Sequence, residues 1–196
     1  MTAQLDRPSS PASAGAAPID RPESTTMAHR GLAVLRIATG FIFLWAFLDK
    51  TFGLGYSTPS ARAWIHGGSP TKGFLASVHV GPLQSTFHSI AGTWWANGLF
   101  MVGLLGIGVA LMLGVAVRIA AVSGVLMVAG MWLATFPPAK FTSAGAPTSS
   151  TNPFVDDHML EALILVVLAT TLAGRTWGLG SVWARVPFVA RHRWAL

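Results

Sequence analysis

Cysteine is absent from the 196 residues. That excludes disulfides, thiolate metal sites, iron–sulfur ligation and any dithiol redox chemistry carried by the chain itself. Charge is scarce as well. Asp, Glu, Lys and Arg make up 10% of residues, where a soluble domain carries about a quarter. Apolar residues make up 52%, and mean hydropathy is +0.56. So little charge excludes a soluble globular domain and puts the chain in a lipid bilayer. The formal charge of +6 does not point to a nucleic-acid partner. The arginines gather at the chain ends and at one loop between apolar runs, which is a topology signal. No strand pattern exists for a glycine-rich nucleotide fingerprint to follow.

Residues 1–29, rich in Pro, Ser, Ala and Thr, cannot bury enough apolar surface to fold alone. They read as a disordered cytoplasmic tail. Their layout is not that of a signal peptide, because the apolar run begins too late and is too long. Residues 30–188 form the membrane domain, and 189–196 a basic C-terminal tail.

A spanning helix needs about 20 mostly apolar residues. Four stretches are candidates: Arg30–Phe52, Trp94–Val117, Ile119–Phe136 and Asp156–Gly174. The expected fold is therefore all-α, an integral membrane four-helix bundle. The second and third spans are joined by a turn so tight that they must form an antiparallel hairpin. Gly106, Ala110 and Gly114 recur every fourth residue, a small-residue ridge along which another backbone can approach. The 55–93 loop holds two short apolar-faced pieces, Thr71–Val80 and Pro82–Ala91, which read as interfacial helices over the bundle's outer end. Trp94 and Trp95 then mark the outer headgroup layer.

Basic residues set the orientation. Arg7, Arg21, Arg30, Arg118, Arg175, Arg185, Arg191 and Arg193 share one side; Lys50, Arg62, Lys72 and Lys140 share the other. The positive-inside rule puts both termini in the cytoplasm. Arg36, inside the first span, is expected to snorkel to the headgroups. The Trp- and Arg-rich segment after Gly174 suits an anionic cytoplasmic leaflet.

The polar residues at the outer mouths are the candidate site: Asp49, Lys50, Asp156, Asp157, His158 and Glu161. Asp156 and Asp157 open an apolar run and suit the N-terminus of a helix, where a carboxylate gains about 0.3–1 kcal/mol. Asp157, His158 and Glu161 share a helical face. Two like charges that close, near lipid, need a cation between them or a raised pKa, and the expected cations are Lys50 and Lys140. Two readings stay open: caps with an interhelical ion pair, or a substrate, quinone or proton site. His66, His79 and His88 have no compact metal-ligand spacing, and no histidine lies deep enough in a span to hold haem. No metal site is expected.

Several stretches carry a family resemblance. They are "LRIATGFIFLWAFLDKTFGL", "HGGSPTKGFL" followed by "GPL", "GLLGIGVALMLGVAVRIAAVSG", "NPFVDDH" and "GRTWGLG". Together the sequence resembles the DoxX family of small four-span bacterial membrane proteins, in its longer actinobacterial form, over about 31–185. The family is related to the small subunit of archaeal thiosulfate:quinone oxidoreductase. The resemblance implies a multi-pass protein of the bacterial plasma membrane, an accessory or quinone-facing subunit of a membrane-associated oxidoreductase with no redox cofactor bound by a clear motif. Its implied partners are the bilayer and oxidoreductase subunits, and its implied ligand is a quinone. It supplies no catalytic residues. The competing expectation is a non-catalytic scaffold that docks a redox or respiratory partner. A transporter fits less well, since neither repeated halves nor broken mid-membrane helices stand out.

Overall fold

The computed structural model describes residues 21–79, 81–136, 140, 141, 145–148, 150 and 152–196. The tail expected over 1–20 lies outside the described residues. Helix α1 runs Arg21–Phe52, so 21–29, expected in the tail, continue the first span as helix. After it come two 3₁₀ turns, Ser60–Arg62 and Trp64–His66, then the short helices α2 (Lys72–Ala76) and α3 (Gln84–Ile90). These two fall where the sequence places its interfacial pieces. Helices α4 (Trp94–Leu113) and α5 (Val117–Thr135) form the hairpin, and α6 spans Asp157–Thr170. A short C-terminal tier follows, with α7 (Gly180–Trp183) and α8 (Pro187–Arg191). No strand occurs among the described residues, which hold one isolated bridge, Phe141 with Pro147. The fold is all-α.

Among the described residues three helices, α1, α4 and α5, are long and apolar enough to cross a membrane. The fourth expected span behaves differently. Helix α6 has 14 residues, a rise of about 21 Å against a hydrocarbon core of about 30 Å. Leu172 then enters the left-handed region at φ 52°, and the chain tightens into a 3₁₀ turn at Ala173–Arg175. Four long elements pack together, and among the described residues three of them have spanning length.

They pack as a row, α1 on α4, α4 on α5 and α5 on α6. Phe43, Met101, Leu111, Val128, Leu165 and Leu168 fill the seams. The close approach follows the expected ridge only at Gly114, where a Cβ would lie 2.7 Å from Arg36 Nη1. Gly106 is exposed, with nothing near its Cβ position. Instead α1 and α4 cross at Gly40 and Gly108: a Cβ on Gly108 would lie 2.6 Å from the Leu44 nitrogen, and one on Gly40 2.8 Å from the Met112 nitrogen. The four-residue repeat marks a true approach at Gly114 and misses the α1–α4 crossing, because composition does not say which side of α4 meets a neighbour.

The end of the bundle carrying the α4–α5 turn is closed around Arg36, which is fully buried. This overturns the snorkelling expectation. A helix leaves its last four carbonyls without internal partners, and here each is satisfied. Ala110 O accepts from Val115 N at 3.0 Å, and Leu111 O from Gly114 N at 3.2 Å and from Arg36. Met112 O accepts from Arg36 Nη1 at 3.1 Å, and Leu113 O from Leu179 N at 2.8 Å. Arg36 Nη2 also donates to Trp177 O at 3.0 Å and Thr176 O at 3.3 Å. One guanidinium therefore joins α1, the end of α4 and the 175–178 loop, and its charge sits at the negative end of the α4 dipole. Gly114, at φ 72°, makes room for it, since a Cβ there would lie 2.7 Å from Arg36 Nη1, and Gly174 lets the next segment close on Gly114, whose oxygen would lie 2.4 Å from an added Cβ.

The C-terminal residues are docked rather than loose. Val189 and Ala195 are buried, Arg118 N donates to Leu196 O at 2.8 Å, and Trp183 Nε1 donates to Ala195 O at 2.7 Å. Around them Trp177, Phe188 and Trp194 are exposed beside exposed arginines.

Candidate functional site

The opposite end of the bundle is open. The 53–93 segment folds over it and is fixed by two buried polar side chains. Asn97, in the first turn of α4, accepts through Oδ1 from Ser69 Oγ, Thr71 N and Thr71 Oγ1 at 3.0, 3.1 and 2.7 Å, and donates through Nδ2 to Gly92 O at 3.3 Å. Nothing in the sequence singles out Asn97 except that a lone amide in an apolar span needs partners. Asp49 is the second anchor. Almost wholly buried, it accepts from Tyr56 N at 3.2 Å, Ser57 N at 3.0 Å and Ser57 Oγ at 2.7 Å. Gly53 lets this turn close: at φ 65° it faces Ser60, whose Cα would lie 2.5 Å from an added Cβ.

Asp49 and Lys50 point apart, as neighbours on a helix do. Lys50 turns to a cavity of about 1210 Å³ and donates to Ser57 Oγ at 3.4 Å. Ser57 thus bridges the lysine to the buried aspartate. The cavity lies under the folded segment and runs down between α4 and α5. Its lower wall is apolar, with Phe100 and Ile107 from α4 and Leu126, Met127 and Met131 from α5. Its upper rim carries Lys50, Arg62, His66, Lys72 and His158. Among the described residues the wall holds no carboxylate. Val102 and Leu126 border it at 69% and 70% exposure, so it opens sideways between the two helices.

At the start of α6, Asp156 is the N-cap, its Oδ1 accepting from Met159 N at 3.0 Å. Its other oxygen meets His158 Nδ1 at 2.9 Å. Burial pushes the Asp156 carboxyl up, but the bonds from His158 and the Met159 amide outweigh it and hold the group below the ordinary carboxylate range. A carboxylate on Nδ1 fixes the ring and leaves Nε2 for another partner. The loop before the cap is held by Trp132, whose Nε1 donates to Phe154 O at 3.0 Å.

Of the six candidate residues, Lys50 and His158 reach the cavity wall. Asp156 stands behind His158, and Asp49 is bound to its own turn. Asp157 is exposed in the first turn of α6, and the half-buried Glu161 lies off the wall. The expected ion pair from Lys50 to Glu161 or Asp157 is not formed; the carboxylate contact found instead at the start of α6 is that of Asp156 with the His158 ring. Lys50 follows α1 into the gap beside α4, whereas Glu161 follows α6, which packs on α5. His66 and His88 are engaged with the backbone oxygens of Ser60 and Val78 at 2.8 Å each.

A family model described as DoxX matches residues 31–137, which takes in α1, the folded-over segment and the hairpin that together wall most of the cavity. No curated protein and no solved structure matches the chain.

Proposed function

The chain belongs to the DoxX family of membrane proteins, and on that premise we propose that it is the quinone-facing accessory subunit of a membrane-associated oxidoreductase. The supporting observation is the amphipathic cavity, apolar at the depth of the bilayer, polar at its rim and open between α4 and α5. A quinone has a long apolar tail and a head that accepts hydrogen bonds, and the donor set fits. Lys50 Nζ would donate to one head oxygen, and His158, with its ring held by Asp156, would pass a proton at Nε2 to or from the other. The bound quinone would supply a two-electron, two-proton couple, with electrons exchanged through a partner subunit. The apolar lower wall would take the tail and exclude water. On this reading the side carrying Arg118, Arg175, Arg185, Arg191 and Arg193 faces the cytoplasm of a bacterial plasma membrane, and α6 completes a fourth, short span.

Photolabelling with an azidoquinone in native membranes tests this. Label should appear on the α5 peptide that holds Leu126, Met127 and Met131. Gly130 lines the cavity, and a Cβ there meets nothing within 4 Å, so Gly130→Leu should obstruct the cavity beside α5 without disturbing the fold. Labelling should be lost while thermal stability is kept, and a quinone-reactive oxidoreductase that co-purifies in mild detergent should lose activity. Unchanged activity with Gly130→Leu would support the non-catalytic scaffold instead.

A further inference from the structure

We infer that the same cavity takes an anionic phospholipid, with the phosphate on the basic rim of Lys50, Arg62 and Lys72 and the acyl chains passing out between α4 and α5, in competition with quinone. The inference rests on the cavity being a ligand site, as proposed above.

The first ground is unbalanced charge. Lys50, Arg62 and Lys72 line the rim, and among the described residues no carboxylate does. The acids nearest in sequence are spent elsewhere. Asp49 is held by the Tyr56 and Ser57 amides and the Ser57 hydroxyl. Asp156 is held by the Met159 amide and His158. A neutral quinone head needs one or two hydrogen-bond donors and no counter-charge. A phosphate diester is matched by a cluster of cations with guanidinium and ammonium donors.

The second ground is size and outlet. At about 1210 Å³ the cavity exceeds the usual range for small-molecule sites, roughly 300–1,000 Å³. It has room for a head group and the upper part of two chains. Val102 and Leu126 at its edge are exposed on the bilayer side, so chains leave it without crossing polar surface. Trp95 lines the same cavity and Trp94 beside it is 86% exposed, as residues at headgroup depth are. A free phosphate ester would satisfy the rim but leave the apolar wall uncovered, so a lipid is the better source of the phosphate.

The test uses the full chain in nanodiscs of phosphatidylcholine with a minor share of phosphatidylglycerol, followed by native mass spectrometry of retained lipid. Phosphatidylglycerol should be retained over phosphatidylcholine. The double change Arg62→Gln with Lys72→Gln, both exposed side chains, should cost about tenfold or more in that preference, the size of one or two charge-assisted contacts. Lys140→Gln, an exposed cation outside the cavity lining, should leave it intact. Equal retention of the two lipids, or loss with Lys140→Gln and not with the double change, overturns the inference. Displacement of the lipid by equimolar glycerol phosphate would assign the rim to a soluble anion and overturn the lipid. Azidoquinone labelling separates the two readings. Label present without phosphatidylglycerol preference sinks the lipid alone. Phosphatidylglycerol retained, and expelled by Gly130→Leu, with no quinone label sinks the quinone reading and leaves the lipid standing.

Discussion

The two ends of the helix row solve opposite problems with the same kind of element. At the α4–α5 turn, an arginine at 0% exposure donates to backbone oxygens of α4 and of the 175–178 loop, and glycines let the backbones touch. At the other end the same two helices part around a cavity of about 1210 Å³ rimmed by cations. The closed end spends its charge on the protein itself, and the open end keeps charge available. The difference shows how a small membrane protein can keep a binding space. With no hydrophobic effect to pull helices together in lipid, one end is tied by polar contacts so that the other need not pack.

If that division holds, the largest loss should come from untying the closed end. Arg36→Leu removes the donor to Leu111, Met112, Thr176 and Trp177 and leaves carbonyls without partners. Each orphaned buried group costs about 1–3 kcal/mol, so thermal unfolding in detergent should drop sharply. Arg36→Lys should recover little, because a lysine lacks the planar fork that reaches both the end of α4 and the 175–178 loop. Next comes the α1–α4 crossing. Gly108→Val places a branched side chain where even a Cβ meets the Leu44 backbone, and overpacking costs roughly 1–3 kcal/mol. The same change at Gly106, which faces open space, should be nearly silent by the same melting assay.

At the open end the stability effects should be smaller. Asp156→Ala removes the α6 cap and should cost about 1 kcal/mol. Its pH dependence has a definite sign. The carboxyl is held below its ordinary range in the folded protein, so its stabilisation is present at neutral pH and is lost as pH falls through the lowered value. The melting difference between wild type and Asp156→Ala should therefore be full near neutrality and shrink in acid. A difference that grows on acidification would contradict the assignment.

Much of this architecture was legible in the sequence, and the failures have a common cause. Helix α4 begins at Trp94, as its apolar run does, but the α4–α5 turn falls at Gly114–Ala116 rather than at Arg118, where the apolar runs divide, because the left-handed Gly114 ends α4 and Arg118 is taken into α5. Asp156 was readable as a cap because capping is local. Arg36 was not readable, since its partners lie 75 to 141 positions away, and a lone arginine in a span looks the same whether it snorkels or staples. Asp49 misled for a similar reason: a carboxylate bound to its own turn and one facing a pocket have the same neighbours in sequence. The cavity was invisible because its wall is ordinary membrane-helix sequence. Only the parting of α4 from α5 makes Met127 and Gly130 a surface.

That parting can be measured directly, and the absence of native cysteine gives a clean background. Single substitutions Ser123→Cys, Met127→Cys and Gly130→Cys sit on the cavity wall, while Ala121→Cys and Val128→Cys sit in the packed seam at 1% exposure each. In proteoliposomes, a small methanethiosulfonate reagent should modify the first three readily and the last two hardly at all, and prior Gly130→Leu should protect position 127. If positions 127 and 130 are as inert as 128, α4 and α5 close on each other at both ends and the account of an open end is wrong.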